Sequence, residues 1–563
     1  MVWPEPAQLS TDVLVIGGGA TALRAALAAR ERCDDVTIVS KGPIARSGNT
    51  VISGASLAAV VNGSDAEREA HVQDTLRGGQ FLNDEDLVRV LVTEAGQRIQ
   101  ELQAWGIPFY TQDADLLRRH SPGHSRPRNV RVRTAEHRPP LQALAITLPM
   151  RDRIEALGVR CIERTGVVDI LLCDGEAIGA LAISHNDGQF LEIHAGATIL
   201  AAGGGGSLFA RTTNTSDVVG ESYALALRAG ATLRDMEFVQ YHPLGVTHPF
   251  KLTLLDSIFH DGAVLRNSRH ERFIRRYAPE TLETGTRDVV SRAIFAEVKA
   301  GRGVDGGVYL DCSRIKPDAL ATRYDDLVQA FGEHQIDLAS EYVVVSPQAH
   351  FFNGGVSIDE WGWTGIPRLF AAGEAAGGVH GANRLPGNAL PETLVFGARS
   401  GQAAAGIALT EPGLPALAAR AWPERMHPPN GNVSLSSLKV ILRRTMWSEG
   451  SIVRSRRSLE RTKEAIAETR TGLADVALHG PRDMACYFEL ENMCLTAEAI
   501  AEAALIRTES RGAHFREDYP RQDDEHWLGN IIISLAEDNV RGRFSMLMTV
   551  HRGDNARGEV VLA

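Results

Sequence analysis

DVLVIGGGATALRAALAARERCDDVTIVS, residues 12–40, reads as strand, glycine turn, helix and second strand. Asp12 to Ile16 is an apolar run of strand type, Gly17, Gly18 and Gly19 turn the chain, and the alanine- and leucine-rich stretch that follows has a helical pattern. VTIVS from Val36 is the second strand. Gly17, Gly19 and Ala22 match G-x-G-x-x-G/A. In a dinucleotide-binding unit the first glycine makes the turn, the second lets the backbone approach a pyrophosphate, and the small third residue allows close helix–strand packing. Alone, such a motif also serves tight packing with no ligand. The second strand ends in Ser40 and Lys41 rather than the acid that holds the adenosine ribose in many NAD enzymes. Either hydroxyl and backbone groups hold the ribose, or the nucleotide is not NAD.

Two further stretches bring glycine-rich backbone towards a ligand. ATILAAGGGG from Ala197 is a buried strand that empties into glycines, including Gly203 and Gly204. LFAAGEAAGGVHGANRLPGNALPETLVFGARSG, residues 369–401, carries a lone acid, Glu374, beside Gly373, then His380, Asn383, Arg384, Gly387 and Asn388 before a helix opens.

With 563 residues the chain is long enough for several domains, since single cores stop growing near roughly 250–300 residues. A net charge of -11 argues against nucleic acid as the main partner. The six cysteines are scattered without a C-x-x-C pair, which removes a cluster, zinc ribbon or c-type haem ligated by this chain and points to no metal. Reduced thiols, with no N-terminal basic-then-apolar signal and no long uncharged apolar run, suggest a cytoplasmic protein that does not insert into a membrane by itself. From about Met236 to Val345 the pattern is broken and mixed, as in an inserted domain. From about Leu435 to Leu505 helix formers dominate.

Six segments carry a family resemblance: SKGPIARSGNT from Ser40, EFVQYHPLG with His242, TGTRDVVSRAI with Arg287, SPQAHFFNGG with His350, HGANRLPGN with Arg384, and IRTESRGAHFREDYP from Ile506. They stand in the order found in the succinate dehydrogenase, fumarate reductase and L-aspartate oxidase flavoprotein family, which the chain resembles from Asp12 to about Trp527. The resemblance implies an α/β fold: a Rossmann-like FAD-binding domain with an inserted α+β capping domain and a C-terminal helical bundle. The expected divisions are 1–235 and 351–425 for the FAD-binding domain, 236–350 for the cap, 426–535 for the helical domain and 536–563 for a tail. FAD contacts are expected from Gly17, Gly19, Ala22, Ser40, Lys41, Ser47, Gly48, Asn49, Thr50, Gly54, Gly203, Gly204, Glu221, Gly373, Glu374, Arg384, Asn388, Ala389 and Leu390. Glu221 stands where the family has Asp in a GDG triplet.

The resemblance also implies catalytic roles. His242, His350 and Arg384 would hold a small dicarboxylate, and Arg287 would protonate one alkene carbon while the flavin N5 delivers a hydride to the other. An arginine, with a free pKa above about 12, needs a relay to restore its proton. Here the chain departs from the family, whose segment L-T-E-A-x-R-G-E-G-A becomes LLDSIFHDGA from Leu254. Leu255 replaces Thr, Asp256 the relay Glu, and Phe259 the relay Arg. A register slip could instead bring Thr253 into play. With Leu255 in place, the substrate's second end is expected to be less polar than that of fumarate.

Asn49 replaces the histidine that bonds covalently to flavin in membrane-complex members, so FAD is expected to be non-covalent. Ser121 stands where aspartate oxidases place a Glu for the substrate ammonium, and RTAEHRPP replaces the D-x-T-G that follows. An aspartate-oxidase-like activity is therefore the second reading, and an electron-transfer flavoprotein subunit of a larger complex the third. With no cluster of its own, the chain would exchange electrons with a separate iron–sulfur or other electron-transfer partner, a soluble carrier or oxygen.

Overall fold

The computed structural model describes residues 6–133, 140–246, 248–410, 429–538 and 543–552. Its first layer grows from the opening stretch. Strand β1 (Ala7–Ile16) crosses through helix α1 (Ala20–Arg30) to β2 (Val36–Val39), which pairs with it in parallel. Val13, Leu14, Val15, Ile38 and Val39 are fully buried, as continuous apolar runs must be when helices or sheets cover both faces. Each such side chain contributes roughly 1.5–3 kcal/mol.

The sheet continues through β3 (Arg160–Ile162), β4 (Thr165–Cys173), β5 (Glu176–Ser184) and β6 (Phe190–Leu200). Its order is β3-β2-β1-β6-β5-β4: the first three junctions are parallel, and β6, β5 and β4 form an antiparallel meander.

The cap follows as a second sheet. It comprises β7 (Val239–Val246), β8 (Leu252–Thr253), β9 (Val264–Arg266), helix α2 (Arg287–Lys299), β10 (Val308–Asp311) and β11 (Val343–Phe352). The strands run antiparallel in the order β8-β7-β11-β10-β9. Leu244, Val246, Leu265, Phe273, Ile294, Leu310 and Phe331 form an apolar core separate from that of the first layer. The strands that open and close this insertion, β7 and β11, pair with each other and so bring distant sequence together.

The chain then rejoins the first sheet. β12 (Leu369–Ala371) pairs in parallel with β6, and α3 (Ala389–Thr410) packs across α1. Small residues permit that crossing: a Cβ on Gly401 would lie 2.2 Å from the Ala25 carbonyl oxygen, and one on Gly397 2.9 Å from that of Thr21.

Three helices follow: α4 (Leu435–Ser448), α5 (Arg456–Leu473), which packs against both neighbours, and α6 (Pro481–Ile506). Ser434 and Ser455 cap the first two through their hydroxyls, and Pro481 opens the third where a missing N–H costs nothing. A hairpin of β13 (Gly529–Asp538) and β14 (Arg543–Arg552) pairs with the short strand Leu233–Arg234. Buried Arg507 binds Glu237 at 2.5 Å and Glu509 at 3.1 Å, tying the end of α6 to the chain entering β7. Among the described residues no helix is long and apolar enough to cross a membrane. Residues 134–139, within the altered RTAEHRPP segment, and 553–563, the end of the expected tail, lie outside the described residues.

Candidate active site

The turn between β1 and α1 is built for backbone approach. Gly17 has φ +137°, and a Cβ there would lie 2.2 Å from the Ala201 carbonyl oxygen; one on Gly18 would lie 2.6 Å from Ser40 Oγ. Gly19 offers no capping side chain, so the Ala20 N–H donates to Thr50 Oγ1 at 3.2 Å, across thirty residues of sequence. The other first-turn N–H groups of α1 are left for an anion.

A trough starts here. At its narrow end, of about 90 Å³, Gly17, Gly19, Ser40, Lys41, Ser47, Gly48, Asn49, Thr50, Gly203, Glu221 and Glu374 form the wall. Lys41 Nζ binds Glu221 at 2.8 Å and Glu489, from α6, at 2.7 Å. Burial works against the ammonium, but the two carboxylates hold it above its ordinary value.

Asn49, Thr50 and Glu374 also line a wider space of about 230 Å³, so the two form one passage. Asn49 Nδ2 donates to Asn214 Oδ1 at 2.9 Å and to Glu374 Oε2 at 3.1 Å, and the Phe352 N–H donates to Glu374 Oε1 at 3.2 Å. Burial nonetheless pushes the Glu374 carboxyl up to about 7. Gly204 must be small, because a Cβ there would meet Glu374 Oε1 at 2.3 Å. Gly373, at φ +65°, would meet Thr21 Oγ1 at the same distance. Ala22 is buried in α1, and Gly54, Ala389 and Leu390 lie on the wider wall.

Asn388 does not face the passage. Its amide donates to Thr75 Oγ1 at 3.1 Å and its oxygen lies 3.0 Å from His71 Nε2, so it braces the loop before α3 from behind. Its side chain, expected among the cofactor contacts, is thus taken up by Thr75 and His71.

At the wide end the four residues expected to be catalytic converge. His242 on β7 and His350 on β11 sit on neighbouring strands, their rings 4.9 Å apart and edge-on. Burial drives the His242 imidazole down to about 3 and that of His350 well below its ordinary value, so both are neutral at physiological pH. The Leu244 N–H donates to His242 Nδ1 at 3.2 Å, which places the ring proton on Nε2, 3.3 Å from Asp256 Oδ1.

Arg287 is the first residue of α2, a poor place for a cation by the helix dipole. Asp256 compensates: its Oδ2 accepts from Arg287 Nε at 2.8 Å and Nη2 at 2.6 Å. Burial disfavours that carboxylate, but Arg287 and His242 hold it below its usual range. These contacts place Asp256 against Arg287 without a register slip, while both Thr253 and Leu255 reach the cavity wall. A Cβ on Gly54 would lie 2.9 Å from Leu255 Cδ2, so leucine and glycine pack as a pair.

Arg384 is 5% exposed, and among the described residues no carboxylate lies within ion-pair distance of it. Its guanidinium sits 4.3 Å from the centre of the Phe351 ring. Burial, then the neighbouring Arg287, lowers its pKa to about 9.

Sequence reading missed Gln240, whose oxygen accepts from Arg287 Nη1 at 3.1 Å and Arg384 Nη2 at 3.0 Å. It lies two residues before His242 in one strand, and that spacing puts both on one face. Thr213, 2.9 Å from His350 Nδ1, was also missed. Nothing local marks it, since 137 residues separate the two.

Beyond Arg287 lies a second cavity of about 470 Å³, walled by Asp256, Phe259, Arg287 and Arg384 among others. Asp256, Arg287 and Arg384 therefore form the partition between the two spaces.

Residues 12–390 match the FAD binding domain family, and residues 440–550 match the fumarate reductase flavoprotein C-terminal family. The glycine floor, the free helix N-terminus and the continuous trough fit that cofactor, and the protein is an FAD-dependent oxidoreductase. It is 38% identical to one chain of the fumarate reductase (CoM/CoB) of Methanothermobacter marburgensis, over 93% of this chain and 97% of that one. Against the fumarate reductase flavoprotein subunit of Mycobacterium tuberculosis the identity is 35%, over 94% and 95%. The structure of Mycobacterium smegmatis Sdh1 superimposes with a TM-score of 0.83 at 31% identity, covering 97% of this chain and 94% of that one. The chain belongs to the succinate dehydrogenase and fumarate reductase flavoprotein family, FAD oxidoreductases acting on CH–CH groups.

Proposed function

We propose that the enzyme interconverts a CH–CH bond and a C=C bond next to a carboxylate, with Arg287 as the proton donor in the reductive direction. The observation that carries this reading is Arg384: a buried guanidinium without a counter-ion, facing a cavity, calls for an anionic ligand. Its fork suits a carboxylate bound through two N–H groups. When the Thr213 hydroxyl donates to His350 Nδ1, the ring proton lies on Nε2 and can serve the same carboxylate. Bound FAD supplies the hydride for reduction and accepts it in the reverse direction.

Arg287 stands beside Arg384, both donating to the oxygen of Gln240, and gives a proton to the other carbon. The neutral guanidine left behind is a strong base, and the Asp256 carboxylate, 2.6 Å away, takes a proton from water and passes it on. Asp256 borders the second cavity, so water there can recharge it, with Phe259 in place of a further relay arginine. Leu255 leaves the far wall apolar and favours a substrate less polar at that end than fumarate. Ser121, whose hydroxyl accepts from Asn129 Nδ2, offers no carboxylate for an ammonium group, which disfavours amino-acid oxidation.

FAD is held without a covalent bond, since Asn49 is engaged through its amide and cannot form one. All six cysteines are free and scattered, and electrons pass to or from a separate protein, an iron–sulfur subunit or another carrier. Two of the similar proteins, the Methanothermobacter and Mycobacterium tuberculosis chains, are named as subunits, which supports this. The test is whether fumarate reoxidises the reduced enzyme without oxygen, set against peroxide formation from L-aspartate.

A further inference from the structure

We propose that Gln240 is the positioning residue of the carboxylate clamp: its amide oxygen holds the guanidinium groups of Arg287 and Arg384 side by side while leaving the charge of Arg384 uncompensated for the substrate. The inference rests on the carboxylate reading above.

Gln240 is 1% exposed and uses both ends of its amide. Its oxygen takes one N–H from each arginine, at 3.1 and 3.0 Å, and its nitrogen donates to Asn383 Oδ1 at 2.7 Å and to the Arg384 carbonyl at 2.9 Å. This orientation is forced. Flipping the amide would point its N–H groups at two guanidiniums, which only donate, and its oxygen at two acceptors.

Neutrality matters as much as geometry. Two cations attached to one acceptor repel each other, and a carboxylate would hold them more tightly; it would also cancel the charge that the substrate must meet. Arg287 already has Asp256, so an acid at 240 would fall to Arg384. The charged and titratable groups around Arg384 are Arg287, Asp256, Glu374, Glu392, His242 and His350, and burial with Arg287 outweighs the acids among them. A neutral amide is thus the group that fixes both arginines and leaves a binding charge in place.

The test compares wild-type holoenzyme with Gln240→Glu and Gln240→Met, using malonate, a dicarboxylate with no CH–CH bond to oxidise, followed by calorimetry and the visible flavin spectrum. Gln240→Glu keeps an acceptor for both arginines, and should bind malonate at least about tenfold more weakly because the clamp loses its charge. Wild-type binding should weaken as pH rises through about 9, where Arg384 loses its proton, and in Gln240→Glu that limb should move to higher pH. Gln240→Met keeps the charge but frees the arginines. It should lower kcat for fumarate by at least about tenfold and weaken malonate less than the Glu variant does.

Malonate affinity in Gln240→Glu within about threefold of wild type, with an unmoved alkaline limb, overturns the role of Gln240 and leaves the carboxylate site standing. Loss of flavin from both variants assigns Gln240 to the fold and overturns it too. A wild-type protein that binds no malonate removes the carboxylate site and this inference together.

Discussion

Replacing Asp256 by Asn isolates proton return from substrate binding. The side chain keeps its size and an oxygen that can still accept from Arg287 Nε and Nη2, now 2.8 and 2.6 Å from Oδ2. It loses the ability to carry a proton. Positioned acid–base groups contribute roughly 10²–10⁴-fold, so kcat for fumarate reduction should fall by about that factor. KM should not rise, because Arg384 and His350 meet the carboxylate from elsewhere and removing a nearby negative charge favours anion binding. The assay is steady-state fumarate reduction with a reduced viologen as donor, backed by single-turnover reoxidation of the flavin. Asp256→Glu, with a carboxylate one methylene longer, should recover much of the rate. If Asp256→Asn turns over within about threefold of wild type in a single turnover, proton return through this carboxylate is refuted.

Three further outcomes follow from the same geometry. Leu255→Thr puts a hydroxyl on the apolar wall and should lower KM for fumarate by roughly 5- to 150-fold, the equivalent of about 1–3 kcal/mol; an unchanged KM would mean that the wall does not meet the substrate. Acid precipitation should leave a colourless pellet and a yellow supernatant, and flavin retained in the pellet would contradict non-covalent binding. Gly17→Ala places a methyl 2.2 Å from the Ala201 carbonyl at φ +137° and should cost at least about 2 kcal/mol in a thermal melt, with loss of bound flavin.

The nucleotide end of the site was readable from local pattern. DVLVIGGG announces a buried strand and a turn that only glycine satisfies, and the structure puts Gly17 at the positive φ that such a turn demands. The helical region from about Leu435 was equally plain from its wealth of helix formers, to which the structure adds the caps Ser434 and Ser455. The residues of the proposed carboxylate end were picked out only by family resemblance: an isolated histidine before proline, or an arginine beside an aspartate, has many ordinary uses.

What escaped depends on long-range packing. Lys41 meets Glu489 across 448 residues, and Thr213 meets His350 across 137; no local signal encodes either contact. The side-chain partners of Asn388, His71 and Thr75, lie more than 300 residues away in sequence and were equally invisible. Gln240 was within reach, two residues before His242 on the same strand face, but its value appears only when Arg287 and Arg384 arrive from separate elements.

The most direct test of the central claim is anaerobic. The flavin is photoreduced, and fumarate, other α,β-unsaturated acids and iminosuccinate are added in turn while the visible spectrum is followed. The account predicts rapid reoxidation by fumarate or a less polar unsaturated acid, abolished in Arg384→Leu. Reduced flavin that survives every acid yet is reoxidised quickly by oxygen would contradict it.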